Sequence, residues 1–117
     1  MEWTSLIRPH QLQQLIINHQ TQQPLKGTRK ERDFEPVVAL HIPDTYCLWL
    51  LTEADDEGMA FGLCQIHVAE LGSVWLPEVA DLDINGVRVI EDTTFVAKHT
   101  LSEYAKLARR NGGLLLL

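Results

Sequence analysis

The sequence predicts an α+β fold: an antiparallel sheet of four or five strands, with an N-terminal and a C-terminal helix. Three observations predict it. Three β-rich apolar runs follow one another with turn residues between them, an amphipathic pattern starts near Pro9, and a second starts after Thr100. Residues 1–117 suit a single domain, since a chain of this size buries about two-thirds of its unfolded surface.

In the first helix, Pro9 fits a first turn and Leu12, Leu15, Ile16 and His19 fall on one stripe. From Thr21 to Glu35 the chain is polar and contains Pro24 and Gly27, which predicts a connecting loop. The strand candidates are Pro36 to Ile42, Tyr46 to Thr52 and Met59 to Val68. Pro43-Asp44 and the turn Ala54 to Gly58 separate them, giving an antiparallel meander.

A fourth strand is expected at Ser73 to Leu76, stopped by Pro77, which opens a short helix carrying Val79 and Leu82. Asn85-Gly86 is a tight-turn signal and introduces a fifth strand, Val87 to Ile90. In the last helix, Thr100 and Glu103 match a capping box, and Leu101, Tyr104, Ala105 and Ala108 form the apolar stripe. Asn111-Gly112 supplies the stop. The expected core packs Trp49, Phe61, Val87 and Val89 against one or both helices.

Apolar residues make up 45% of the chain and charged residues 22%, which speaks against disorder. The net charge of −6 works against sequence-independent binding to a phosphate backbone, so nucleic acid is not the expected partner. The basic cluster Lys26, Arg29, Lys30 and Arg32 lies in the loop and is balanced by Glu31, Asp33 and Glu35. Met1 to His10 lacks signal-peptide character, and no apolar run approaches the roughly 20 residues of a membrane span. A cytoplasmic location, with no membrane partner, is the expectation.

His41, Cys47, Cys64 and His67 are the right ligand types for zinc. Cys64 and His67, three apart in one predicted strand, would point to opposite faces, so no metal site is predicted. Register about the Asp55 turn leaves Cys47 opposite Cys64 or Gln65, and in a reducing compartment both thiols are expected to be free. No cofactor motif and no catalytic constellation stand out. The candidate functional surface comprises the acidic residues Glu53, Asp55, Asp56 and Glu57, then Trp75, and then Glu91, Asp92 and Tyr104. The closing run Leu114, Leu115, Leu116 and Leu117 is expected either to pack on the protein's own sheet or to mediate a homodimer.

Pro43 with Trp49, Glu53, Phe61-Gly62, Glu70-Leu71-Gly72, Ser73 to Leu82, Val89 to Asp92 with Phe95, and Ser102 with Tyr104 occur in a recognisable order. In that order, between about Val37 and Ala108, the chain resembles domain of unknown function 2958, an uncharacterised bacterial family common on plasmids and conjugative elements. The resemblance implies an accessory role on a mobile element and brings no established activity. A non-catalytic protein-binding or adaptor module is the leading expectation. The alternatives are a small hydrolase or transferase using Glu91, Asp92 and Tyr104, and an acidic inhibitor of a host defence nuclease.

Overall fold

The computed structural model describes residues 2–113. The predicted leucine contacts at residues 114–117 lie outside the described residues. A 3-10 turn at Trp3–Leu6 leads into helix α1, Pro9–Gln22, and a second 3-10 turn follows at Gln23–Leu25. Four strands then run antiparallel: β1 Val38–His41, β2 Leu48–Ala54, β3 Met59–Gln65 and β4 Ala69–Trp75. Helix α2, Leu76–Ala80, precedes a small hairpin of β5 Asp83–Ile84 and β6 Val87–Arg88. Strand β7, Ile90–Glu91, and helix α3, Leu101–Asn111, complete the chain.

The main sheet has the order β4-β3-β2-β1-β7, so the predicted three-strand meander and the expected fourth strand together occupy four of its five positions. Its central strand reads Leu48-Trp49-Leu50-Leu51 because both of its faces are covered, and all seven of its residues are buried. On one face, Val38, Leu40, Trp49, Leu51 and Val74 pack with Leu15 of α1, with Leu6 and Ile7, and with Leu76 and Val79 of α2. On the other, Ala39, Leu48, Leu50 and Leu63 pack with Leu101, Tyr104, Ala105 and Ala108 of α3. The two helices thus lie on opposite faces, and the α3 stripe is the one its spacing predicts.

Several boundaries differ from the sequence expectation. The third strand ends at Gln65, and the fourth begins at Ala69 instead of Ser73. The chain reverses through Ile66-His67-Val68, three residues with none of the usual turn chemistry. The expected fifth strand, Val87 to Ile90, is split in two. Asn85 and Gly86 take φ of 54° and 84°, and a two-residue hairpin loop of this kind pairs its flanking residues at once. Val87 therefore pairs with Ile84 outside the main sheet, while Ile90 and Glu91 pair with β1. Of the expected core, Trp49 and Val89 are buried, but Val87 is 37% and Phe61 39% exposed. Val87 follows the hairpin outward, and Phe61 sits on sheet surface that α3 does not cover.

The capping box is also replaced. The Thr100 side chain makes no cap bond to α3. Asp33 accepts hydrogen bonds from the Ser102 amide, at 3.2 Å, and from the Ser102 hydroxyl, while the Phe34 carbonyl accepts from the Leu101 amide at 2.9 Å. Donors of the first turn need partners, and this segment brings them from the far end of the chain. Gln22 fixes the same segment: its side-chain amide donates to the Arg32 carbonyl at 2.7 Å and accepts from the Arg32 N–H at 2.9 Å. The C-terminal stop is the predicted one, with Gly112 at φ 72° and its N–H bonded to the Ala108 carbonyl.

The β2–β3 ladder carries one irregularity. Leu51 faces Gly62 and Glu53 faces Phe61, so Thr52 is an extra residue, a β-bulge. At Gly62 a Cβ would lie 1.9 Å from the Leu50 carbonyl oxygen and 3.0 Å from Leu51 Cα, both backbone atoms that cannot swing aside. Its ladder partner Gly72 has nothing within 4 Å of the same position. Gly62→Ala is expected to cost about 3 kcal/mol or more through overpacking against backbone, whereas Gly72→Ala stays within about 0.5 kcal/mol. Urea unfolding of the two variants checks this, since equal losses would mean that the close approach is absent.

Candidate functional site

The sequence-predicted residues separate into structural and available groups. Glu91, on β7, has a side chain only 6% exposed. Its carboxylate accepts from the Arg8 amide at 2.9 Å and from the guanidinium Nε and NH2 at 3.1 and 3.0 Å. Arg8 is the N-cap of α1, so this two-pronged pair ties the sheet edge to a helix start, where negative charge is favourable. Asp92 accepts from the Thr94 hydroxyl at 2.6 Å and from its amide at 2.9 Å, forming a local turn. Tyr104 is buried, its hydroxyl accepts from the Lys98 amide at 3.1 Å, and its ring meets His99 edge-on.

The acidic turn is likewise divided. Asp55 accepts from the amides of Glu57, Gly58 and Met59, each at 2.9 Å, and so shapes the β2–β3 turn. Asp56 and Glu57 are exposed beyond it. Glu53 is instead only 4% exposed, which separates it from the acidic face its sequence neighbours form. In a regular ladder Glu53 would face Ala60 and enter the apolar core beneath α1, a costly place for a carboxylate. The bulge places it opposite Phe61 instead.

Glu53 lines a cleft of about 360 Å³ with Phe61 and Leu71 of the sheet, Leu101 and Ser102 of α3, and the segment Glu31 to Phe34. One carboxylate oxygen, Oε1, lies 3.3 Å from His19 Nδ1 of α1. The α1 end reaches it because β1 begins level with Leu51; the Thr52 carbonyl beyond takes a hydrogen bond from Asn18 at 2.9 Å. Arg32, on the cleft wall, stacks over the Phe34 ring with its guanidinium carbon 4.9 Å from the centroid.

Phe61 and Leu71 also belong to an apolar patch. Met59, Phe61, Leu71 and Trp75 are each between 39% and 47% exposed, and the register sets all four on the face that carries Leu63 and α3. Sequence reasoning singled out Trp75 but missed Met59, Phe61 and Leu71. Their period of two beside Trp75 across the β3–β4 pair would have marked them once the β4 start was known. Beyond Trp75 and Leu71, β4 is a terminal strand, so among the described residues its outward backbone groups have no strand partner in the sheet.

The cysteines are free. Cys64 faces Trp49, a register one position from the Cys47–Gln65 alternative and two from the Cys47–Cys64 one, and both thiols sit on the α1 side of the sheet. Burial is the largest influence on the Cys64 thiol and pushes its pKa up; Cys47 and Glu70 add to this and a hydrogen bond with Trp49 opposes it. Among the described residues, no three His, Cys, Asp or Glu side chains converge as a metal-binding group. His67 lies in the β3–β4 turn, off the strand that carries Cys64.

With two helices closing opposite faces of a five-stranded antiparallel sheet, and an open apolar strip beside one of them, the chain is a small mixed α+β sheet domain. It belongs to the family described as protein of unknown function DUF2958, whose model matches residues 6–115 and so takes in α1 as well as the motif-bearing stretch. No curated protein and no solved structure matches the chain. Among the described residues, no helix is long and apolar enough to cross a membrane.

Two aspartates give the fold an acid-sensitive seam. Burial is the largest influence on Asp33 and opposes its ionisation. The hydrogen bonds from Ser102, with Thr100 and Lys106, outweigh it and hold the carboxyl below its ordinary 3.8. At Asp92 the Thr94 hydroxyl bond dominates and, with the Thr94 amide and His41, lowers the pKa against a burial effect that raises it. A lowered folded-state pKa adds stability that is complete above the unfolded value and disappears as pH falls through the folded one. Stability is therefore expected to decline below about pH 4, with a shallower decline in Asp33→Asn/Asp92→Asn. Urea midpoints between about pH 2 and pH 5 test it, and an unchanged acid slope in the double variant would contradict it.

Proposed function

We propose that the protein is a non-catalytic protein-binding or adaptor module that takes its partner on the β3–β4 face. This suits the accessory role on a mobile element that the family resemblance implies. The observation that carries the proposal is the continuity of three features: the exposed strip Met59, Phe61, Leu71 and Trp75, the β4 edge, which is unpaired among the described residues, and the cleft that shares Phe61 and Leu71 with the strip. Contiguous apolar surface of this kind marks contact sites, and an unpaired strand edge can accept a further strand through main-chain hydrogen bonds. β4 has Glu70 as its only charged residue and contains no proline, so little on the strand itself blocks such an addition. The residues expected to serve an enzyme have other employment: Glu91 anchors α1, Asp92 shapes a turn and Tyr104 supports the segment before α3.

A photo-reactive amino acid placed at position 71 or 75 in the native host is expected to yield the same discrete adduct with another protein from both sites. The exposed α1 position of Ile17 serves as the control and is expected to yield none. No adduct from 71 or 75, or the same adduct from 17, would overturn the proposal.

A further inference from the structure

We infer that the cleft beside α3 is an ammonium-binding subsite, filled by a lysine side chain of the partner segment that lies across the β3–β4 face. The inference rests on the binding face proposed above and names the chemistry it selects. Glu53 is central to it, since its side chain is 6% exposed and only Oε1 is engaged, by His19. Among the described residues, Oε2 has no hydrogen-bond partner, yet no buried side-chain oxygen lacks one, so Oε2 opens onto the cleft that Glu53 lines. A carboxylate oxygen that meets solvent only through a cleft accepts readily from a donor entering there, and a cation supplies the strongest one.

The surroundings fit the same ligand. Glu31, Asp33 and Glu53 line the cleft against one guanidinium, that of Arg32. Arg32 does not neutralise them, because among the described residues it forms no ion pair and lies over Phe34 instead. Leu101, Phe61 and Leu71 give an apolar wall along which a four-carbon stem can lie while its charged head reaches the carboxylate. With Oε1 already taken, Glu53 is poorly placed for the two-pronged grip of a guanidinium, and a compact ammonium suits a single free oxygen better. A partner segment lying across the β3–β4 face, with apolar side chains on the strip and one lysine at the cleft, satisfies both surfaces.

The probe is n-butylammonium, with n-butanol as its uncharged counterpart, titrated into the isotope-labelled chain and followed by amide chemical shifts. Saturable shifts at Phe61, Leu71 and Ser102 are expected with the ammonium, at least about tenfold weaker binding with butanol, and a comparable loss in Glu53→Gln. Arg32→Gln, at an exposed side chain whose backbone holds the contacts to Gln22, is expected to tighten ammonium binding about threefold. Should Glu53→Gln fail to fold, the wild-type ratio of ammonium to butanol and the Arg32→Gln shift decide the matter. Absence of saturable shifts at those amides, or equal binding of the two probes, overturns the inference. The position-71 adduct separates the two ideas. An adduct without ammonium binding removes the lysine subsite and leaves the binding face standing, whereas ammonium binding without an adduct supports the subsite and removes the partner proposal.

Discussion

The extra residue in β2 is the constraint on which the rest of the architecture depends. Thr52 has no counterpart on β3, and the ladder absorbs it only because Gly62 lets the Leu50 carbonyl approach to where a Cβ would sit. From that point the faces of β2 are reset by one residue. Leu51 stays in the core under α1 and Ala54 is brought into it, while Glu53 turns to the other side and becomes the floor of the cleft. Without the shift a carboxylate would enter an apolar core, or the strand would slip and expose its leucines.

Around this point the chain uses polar side chains to fasten segments distant in sequence. Asn18 and Gln22 are buried on α1, the first holding the Thr52 carbonyl and the second the Arg32 backbone. Asp33, on the segment Gln22 secures, caps α3, and Glu91 closes the opposite edge against Arg8. Apart from the Gln22–Arg32 contact, these bonds join residues at least 34 positions apart, and together they hold two helices to a sheet whose strands are otherwise joined locally. They also define the cleft, because Gln22, Arg32, Asp33 and Ser102 are at once fasteners and walls.

The fold was largely legible from residue patterns. The α3 stripe of Leu101, Tyr104, Ala105 and Ala108, the stop at Gly112, and the meander of the first strands follow directly from periodicity and turn residues. The β3–β4 reversal at Ile66-His67-Val68 did not, since its residues have strand character and only tertiary pairing breaks the run. The site was legible in pieces. Glu53 and Trp75 carried a chemical signal, but whether Glu53 points out or in depends on a bulge with no residue signature of its own. Gly62 was the available clue, since a lone glycine inside a strand marks a bulge or a close backbone approach. The capping of α3 by Asp33 lay beyond local reasoning altogether, because Thr100 and Glu103 present a complete local alternative.

Cross-strand nuclear Overhauser effects between β2 and β3 test this account most directly. Backbone contacts pairing Leu51 with Gly62 and Glu53 with Phe61, and skipping Thr52, are the result it predicts. An uninterrupted ladder that sets Thr52 against Phe61 and Glu53 against Ala60 would contradict it.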